Sequence, residues 1–140
     1  MQEPGKVVLR ALQDARILLV EDDTDTREGL AFWLESQGAR VTAVGSAEEA
    51  LRAYEREAPQ VLLSDIGLPG EDGFTLMERL GRLAHARGQD LPAAAVTAYT
   101  GAEDRRQAIE SGFRELIPKP IDVLRLVALV SGWIGEQRPS

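Results

Sequence analysis

The chain contains no cysteine. That excludes a disulfide framework, a thiolate metal site and a cysteine nucleophile. Histidine occurs once, at His85, so a multi-histidine metal centre cannot form, and a Ser-His-Asp triad would have to run through that residue. Lysine is nearly absent: Lys6 and Lys119 stand against fourteen arginines. No apolar run approaches the ~20 residues needed to cross a bilayer. Val7-Val8-Leu9 is too short for the apolar centre of a signal peptide. Net positive charge is missing too; the balance is −7, which argues against generic binding to nucleic acid or to anionic membranes. What is present is 140 residues, 44% of them apolar, enough for one domain with its own core. The expectation is an acidic cytoplasmic domain whose chemistry rests on carboxylates, hydroxyls and a few cations.

Five short apolar runs alternate with amphipathic segments. The runs are Ile17-Leu18-Leu19-Val20, Arg40 to Val44, Val61-Leu62-Leu63, Ala93 to Val96, and Leu116-Ile117. The first and third are continuously apolar, as in strands buried on both faces. Between the runs lie helical patterns with readable ends. Ser46 with Glu49, and Thr100 with Glu103, have capping-box spacing. Gly38, Gly88 and Gly112 fall where helices should stop. Phe74, Met77 and Leu80 mark a stripe that Leu76 and Leu83 widen. Residues 24–37 read as helix although Gly29 lies inside, at a cost of ~1 kcal/mol relative to Ala. Five strand–helix alternations predict an α/β domain, a parallel sheet with helices on both faces. Residues 14–135 form the domain and 136–140 a tail. Residues 1–13 form a leader: a disordered tail, a linker, or an extra turn packed on the sheet.

In such a sheet, ligands bind beyond the carboxyl ends of the strands. The first strand is followed by Glu21, Asp22 and Asp23, the third by Ser64 and Asp65, the fourth by Thr97, and the fifth by Lys119. Each feature alone has an ordinary structural explanation: acidic residues favour helix N-termini, and Asp favours turns. Together they bring carboxylates, a hydroxyl and an ammonium to one rim. Converging carboxylates repel, and an oxygen-only donor set suits Mg²⁺. A carboxylate so neutralised can act as a nucleophile toward phosphorus.

These residues resemble the receiver domain of two-component response regulators. The matching pieces are Ile-Leu-Leu-Val-Glu-Asp-Asp (17–23) with Arg27, Leu-Leu-Ser-Asp (62–65), Leu-Pro-Gly-Glu-Asp-Gly (68–73), Val-Thr-Ala (96–98), Ser-Gly (111–112) and Pro-Lys-Pro (118–120). The resemblance implies a flavodoxin-like, doubly wound five-stranded sheet in the order 2-1-3-4-5. It implies Asp65 as phospho-acceptor, with Lys119 and the Thr97 hydroxyl assisting. Mg²⁺ would be held by Glu21, Asp22, Asp65 and the Gly67 backbone carbonyl, with Asp23 as a flanking residue. The Lys119–Pro120 bond is expected to be cis. A histidine kinase or a phosphotransfer domain would be the donor.

Departures qualify the match. Leu116 stands where many receivers carry Tyr or Phe, so a switch would rest on Thr97 and the loop after it. Gly67 and Tyr99 occupy positions that tune phosphoryl lifetime in the family. A protein-binding pseudo-receiver is the alternative. A Mg²⁺-dependent aspartyl-phosphate phosphatase would need a second Asp where Gly67 stands, and a flavodoxin-like carrier would not tolerate Glu21-Asp22-Asp23 beside FMN phosphate. In the last helix, Val123, Val127, Val130 and Ile134 are expected to face the core. Leu129 and Trp133 are then left partly exposed for homodimer or partner docking, together with the fourth helix and fifth strand. Pro118 places the fifth strand at an edge. The leader is similar to a linker remnant, which favours the receiver of a hybrid histidine kinase over a stand-alone regulator.

Overall fold

The computed structural model of the chain describes residues 11–137. The order is β1 (Arg16–Val20), α1 (Thr24–Ser36), β2 (Arg40–Val44), α2 (Ala47–Arg56), β3 (Val61–Ser64), α3 (Gly73–Ala86), β4 (Ala93–Thr97), α4 (Ala102–Ser111), β5 (Glu115–Pro118) and α5 (Val123–Gln137). All neighbouring strands pair in parallel, in the order β2-β1-β3-β4-β5. The expected fold and strand order are both found.

Strand periodicity divides the core in two. Leu18 and Val20 point to a cluster that includes Tyr54, Leu76, Leu80 and Phe113, beneath α2, α3 and α4. Ile17 and Leu19 point to the opposite cluster, with Leu30, Leu34, Leu126 and Trp133 of α1 and α5. Both faces are covered, so every residue of β3 and β4 is buried and neither strand shows polar alternation. At the edge, β2 buries only Val44, which is why its apolar run is weak. Pro118 lies in the other edge strand, where a missing N–H is tolerated. Ahead of β1, Leu12 is buried in the α1/α5 cluster, and its N–H donates to Gln37 O at 3.0 Å. Residues 1–10 and 138–140 of the expected leader and tail lie outside the described residues.

Most helix ends match the sequence. Gly38, Gly88 and Gly112 have φ of 98°, 66° and 118°, the left-handed conformation that closes a helix. Ser46 Oγ accepts from Glu49 N at 3.2 Å, while the Glu49 carboxylate reaches Gly45 N at 3.4 Å. The α4 cap differs from expectation. Gly101, not Thr100, is the N-cap, and Asp104 closes back on Gly101 N at 3.1 Å. The carboxylate expected to close the box, Glu103, is instead paired with Arg106.

The rotation of α5 also needs correcting. Its buried residues are Leu126, Val130, Trp133 and Ile134, whereas Val123 and Val127 are only half-buried. Trp133 is 7% exposed and receives the Arg114 guanidinium 5.8 Å from its ring centre. Nearly every side of α5 carries an apolar residue, so the pattern leaves its rotation open; Leu126 and Val130 take the deepest positions, and Leu124 faces outward. With Trp133 in the core and Leu129 half-buried, the expected docking face loses its main anchor.

Gly29 lies exposed inside α1, and a Cβ there would meet nothing within 4 Å. Gly29→Ala should therefore stabilise the fold by about 0.5–1 kcal/mol through the lost freedom of the unfolded chain. Urea unfolding would show a higher midpoint at unchanged slope.

Candidate functional site

The carboxyl edge of the sheet gathers the residues that the sequence singled out. Backbone bonds carry the ladder past the strand ends: Asp65 N donates to Val20 O at 2.9 Å, Glu21 N to Val44 O at 3.0 Å, and Lys119 N to Thr97 O at 3.0 Å. The loops after β1, β3 and β5 are thereby held in register. One carboxylate oxygen from each of Glu21, Asp22 and Asp65 lies within 4.8 Å of the others. Lys119 follows β5 and crosses the end of β4 to join them. Its Nζ donates to Asp65 Oδ2 at 2.9 Å and to Glu21 Oε1. The Lys119–Pro120 bond is cis, as expected.

The second oxygens of Asp65 and Glu21 are also committed. Asp65 Oδ1 accepts from the N–H groups of Ile66 at 2.6 Å and Gly67 at 3.2 Å. Glu21 Oε2 accepts from Asp23 N at 3.2 Å. Asp23 points away from the cluster to cap α1, accepting from Thr26 N at 2.9 Å and from the Thr26 hydroxyl at 2.6 Å. Those bonds hold its carboxyl below the usual range.

The electrostatics explain why a lysine is needed. Two unit charges 4.8 Å apart repel by about 3.5 kcal/mol at an effective dielectric of 20. Burial pushes the Glu21 carboxyl above its ordinary range; Asp65 adds to this, while the Lys119 and Asp23 hydrogen bonds oppose it. For Lys119, burial pulls the ammonium down, but the bonds to Glu21 and Asp65 outweigh it and hold the ammonium above its ordinary value. Three carboxylates and one ammonium leave two negative charges, which a divalent cation would neutralise. The all-oxygen donor set fits Mg²⁺.

Thr97 is fully buried at the end of β4, where its Oγ1 accepts from Tyr99 N at 3.1 Å. Leu116 is buried in the core, so no aromatic occupies that place in β5. Three neighbours make contacts that the sequence did not specify. Tyr99 lays its ring over Gly67, where a Cβ would lie 3.1 Å from Tyr99 Cε2. Arg27 was marked only by its spacing, and Nη1 turns back to Glu21 O at 2.8 Å. Gly73 packs its α-carbon against the Asp65 backbone, where a Cβ would fall 2.2 Å from Asp65 O. A glycine at the start of a helix is the only signal of that contact in the sequence.

Fold and cluster together define a doubly wound domain with an acidic site at its carboxyl edge. The model of the response regulator receiver domain matches residues 17–131. The chain belongs to that family, the receiver domain of two-component signalling. It is similar to an uncharacterized 14.6 kDa protein of Leptolyngbya boryana, at 47% identity over 87% of this chain and 92% of the relative. It also resembles the response regulator protein FleR of Pseudomonas aeruginosa at 40% identity, and the sensor protein GacS of Pseudomonas syringae pv. syringae at 33%. The match covers 89% and 86% of this chain, but only 26% and 13% of those longer proteins. Among solved structures, the non-phosphorylated HemR receiver domain of Leptospira biflexa superposes with a TM-score of 0.78 at 34% identity, covering 91% of this chain and 99% of that one. No helix among the described residues is long and apolar enough to cross a membrane.

Gly73→Ala would drive a methyl group into backbone rather than into a movable side chain. It should destabilise the fold by about 2–3 kcal/mol or more, read as a lowered urea midpoint.

Proposed function

We propose that this receiver accepts a phosphoryl group on Asp65 from a phosphohistidine of a histidine kinase or phosphotransfer domain, in a Mg²⁺-dependent reaction, and thereby changes its protein contacts. The observation that carries this is the Asp65 carboxylate, held by the Ile66 and Gly67 N–H groups on one oxygen and by Lys119 on the other. An Asp65 oxygen attacks phosphorus, the P–N bond breaks, and its electron pair stays on the departing imidazole. The product is a mixed carboxyl–phosphate anhydride. Glu21, Asp22, Asp65 and the Gly67 carbonyl would hold Mg²⁺, which supplies positive charge to the phosphoryl oxygens. Lys119 remains as a second cation beside the new group.

The Thr97 hydroxyl is the route outward. Its Oγ1 accepts from Tyr99 N, which leaves the O–H free to donate to a phosphoryl oxygen, so a shift of the side chain toward the new group would draw on the β4–α4 loop through that bond. With Leu116 in place of an aromatic, this loop carries the response. Gly67 offers no acid–base side chain for rapid hydrolysis, so the phosphorylated form persists rather than turning over as in a phosphatase.

Incubation with acetyl phosphate and Mg²⁺, followed by intact mass, should show one added phosphoryl group. Asp65→Asn or removal of Mg²⁺ should abolish it. Absence of phosphorylation from acetyl phosphate and from a panel of phosphohistidine donors would overturn the proposal in favour of a protein-binding pseudo-receiver.

Decay of the phosphorylated form tests the Tyr99 ring as a shield. Tyr99→Ala opens the space over Gly67 and should speed hydrolysis several-fold. Gly67→Asn displaces the ring and should also change the lifetime. Wild-type decay in both variants would remove the shield.

A further inference from the structure

Arg27 is the fourth residue of α1, yet it serves the loop before the helix. Its Nη1 donates to Glu21 O at 2.8 Å and lies 3.4 Å from Asp22 O. These are the backbone carbonyls of the two acids proposed to hold Mg²⁺. Among the described residues Arg27 takes part in no ion pair. It engages carbonyls rather than carboxylates. It therefore lends positive potential to the loop without occupying an oxygen a metal would need.

A second element makes room for it. Gly45 follows β2, and a Cβ there would lie 3.1 Å from Arg27 Nη1 and 3.8 Å from Cζ. Gly45 is not among the glycines with positive φ, so space rather than backbone conformation calls for glycine. The neighbouring Val44 O accepts from Glu21 N, tying the end of β2 to the same loop.

The loop needs such a restraint. Glu21, Asp22 and Asp65 repel one another, and Asp22 is exposed. The easiest relief is for Asp22 to swing into solvent. Fixing both carbonyls from behind opposes that swing, because the backbone sets where the two side chains start.

We infer that Arg27 is a positioning residue for the acidic pair, and that Gly45 is the space its guanidinium requires. The inference rests on the proposed Mg²⁺ role of Glu21 and Asp22. Groups behind metal ligands typically change affinity 10–100-fold when removed.

The test titrates MgCl₂ into wild type, Arg27→Ala, Arg27→Lys and Gly45→Ala, following backbone amide shifts of residues 21–23 and 65–67. Unfolding temperatures are measured in parallel, and acetyl phosphate labelling is run across Mg²⁺ concentrations. Arg27→Ala should weaken Mg²⁺ binding about tenfold, with labelling restored at saturating Mg²⁺. Arg27→Lys should recover part of the loss. Gly45→Ala should shift affinity in the same direction, because it moves the guanidinium without removing its charge. Wild-type Mg²⁺ affinity in Arg27→Ala and Gly45→Ala, whatever happens to their unfolding temperatures, would overturn the inference alone. A wild-type chain with no saturable response to Mg²⁺ would overturn the functional proposal, and this inference with it.

Discussion

One ammonium shared between two carboxylates organises this molecule. Lys119 comes from an edge strand, yet it bonds Asp65 and Glu21 on the other side of β4. Adjacent strands lie ~4.8 Å apart, so β5 and β3 are separated by ~10 Å at their ends. The reach succeeds because the loops converge and because the side chains at and just after the end of β4, Thr97 and Ala98, are small. Without the lysine, a buried Glu21 would sit among like charges. The same lysine connects the remote edge of the sheet to its centre, joining the loops after β1, β3 and β5.

The sheet was legible in the sequence because burial on both faces leaves a plain signature. The continuous runs of β1 and β3 and the alanines of β4 follow from having no solvent face. Site residues were legible for a related reason, since each stands directly after a strand and topology alone brings those positions together. What stayed hidden depends on rotation and on distance in sequence. The apolar arc of α5 was too wide to reveal which side faces the sheet, and Trp133 went inward. Asp23 could not be told from Asp22 by type, and only its bonds to Thr26 assign it to the helix. The contacts of Gly67 with Tyr99, and of Gly45 with Arg27, join residues far apart in the chain and leave no local pattern.

Glycine has an uneven role around the site. At Gly67, Gly45 and Gly73 it provides room, each time for a different group: a ring, a guanidinium and a backbone. In Gly29 it provides nothing the fold uses. The positions where side chains are missing thus outline the site almost as clearly as the carboxylates do.

The contact at Gly73 also has a mechanical meaning. Nothing compressible separates the Asp65 backbone from the first turn of α3, and Gly73 N is bonded to Ile66 O at 2.8 Å. The 14 residues of α3 form a rod ~21 Å long. Fixed at its base to the loop that carries Asp65, the rod is held along its length as well, with Leu76, Met77, Leu80 and Ala84 buried and Arg87 just past its end over the Tyr54 ring. The acid therefore sits at one end of a stiff strut whose other end is braced against the helix that carries Tyr54.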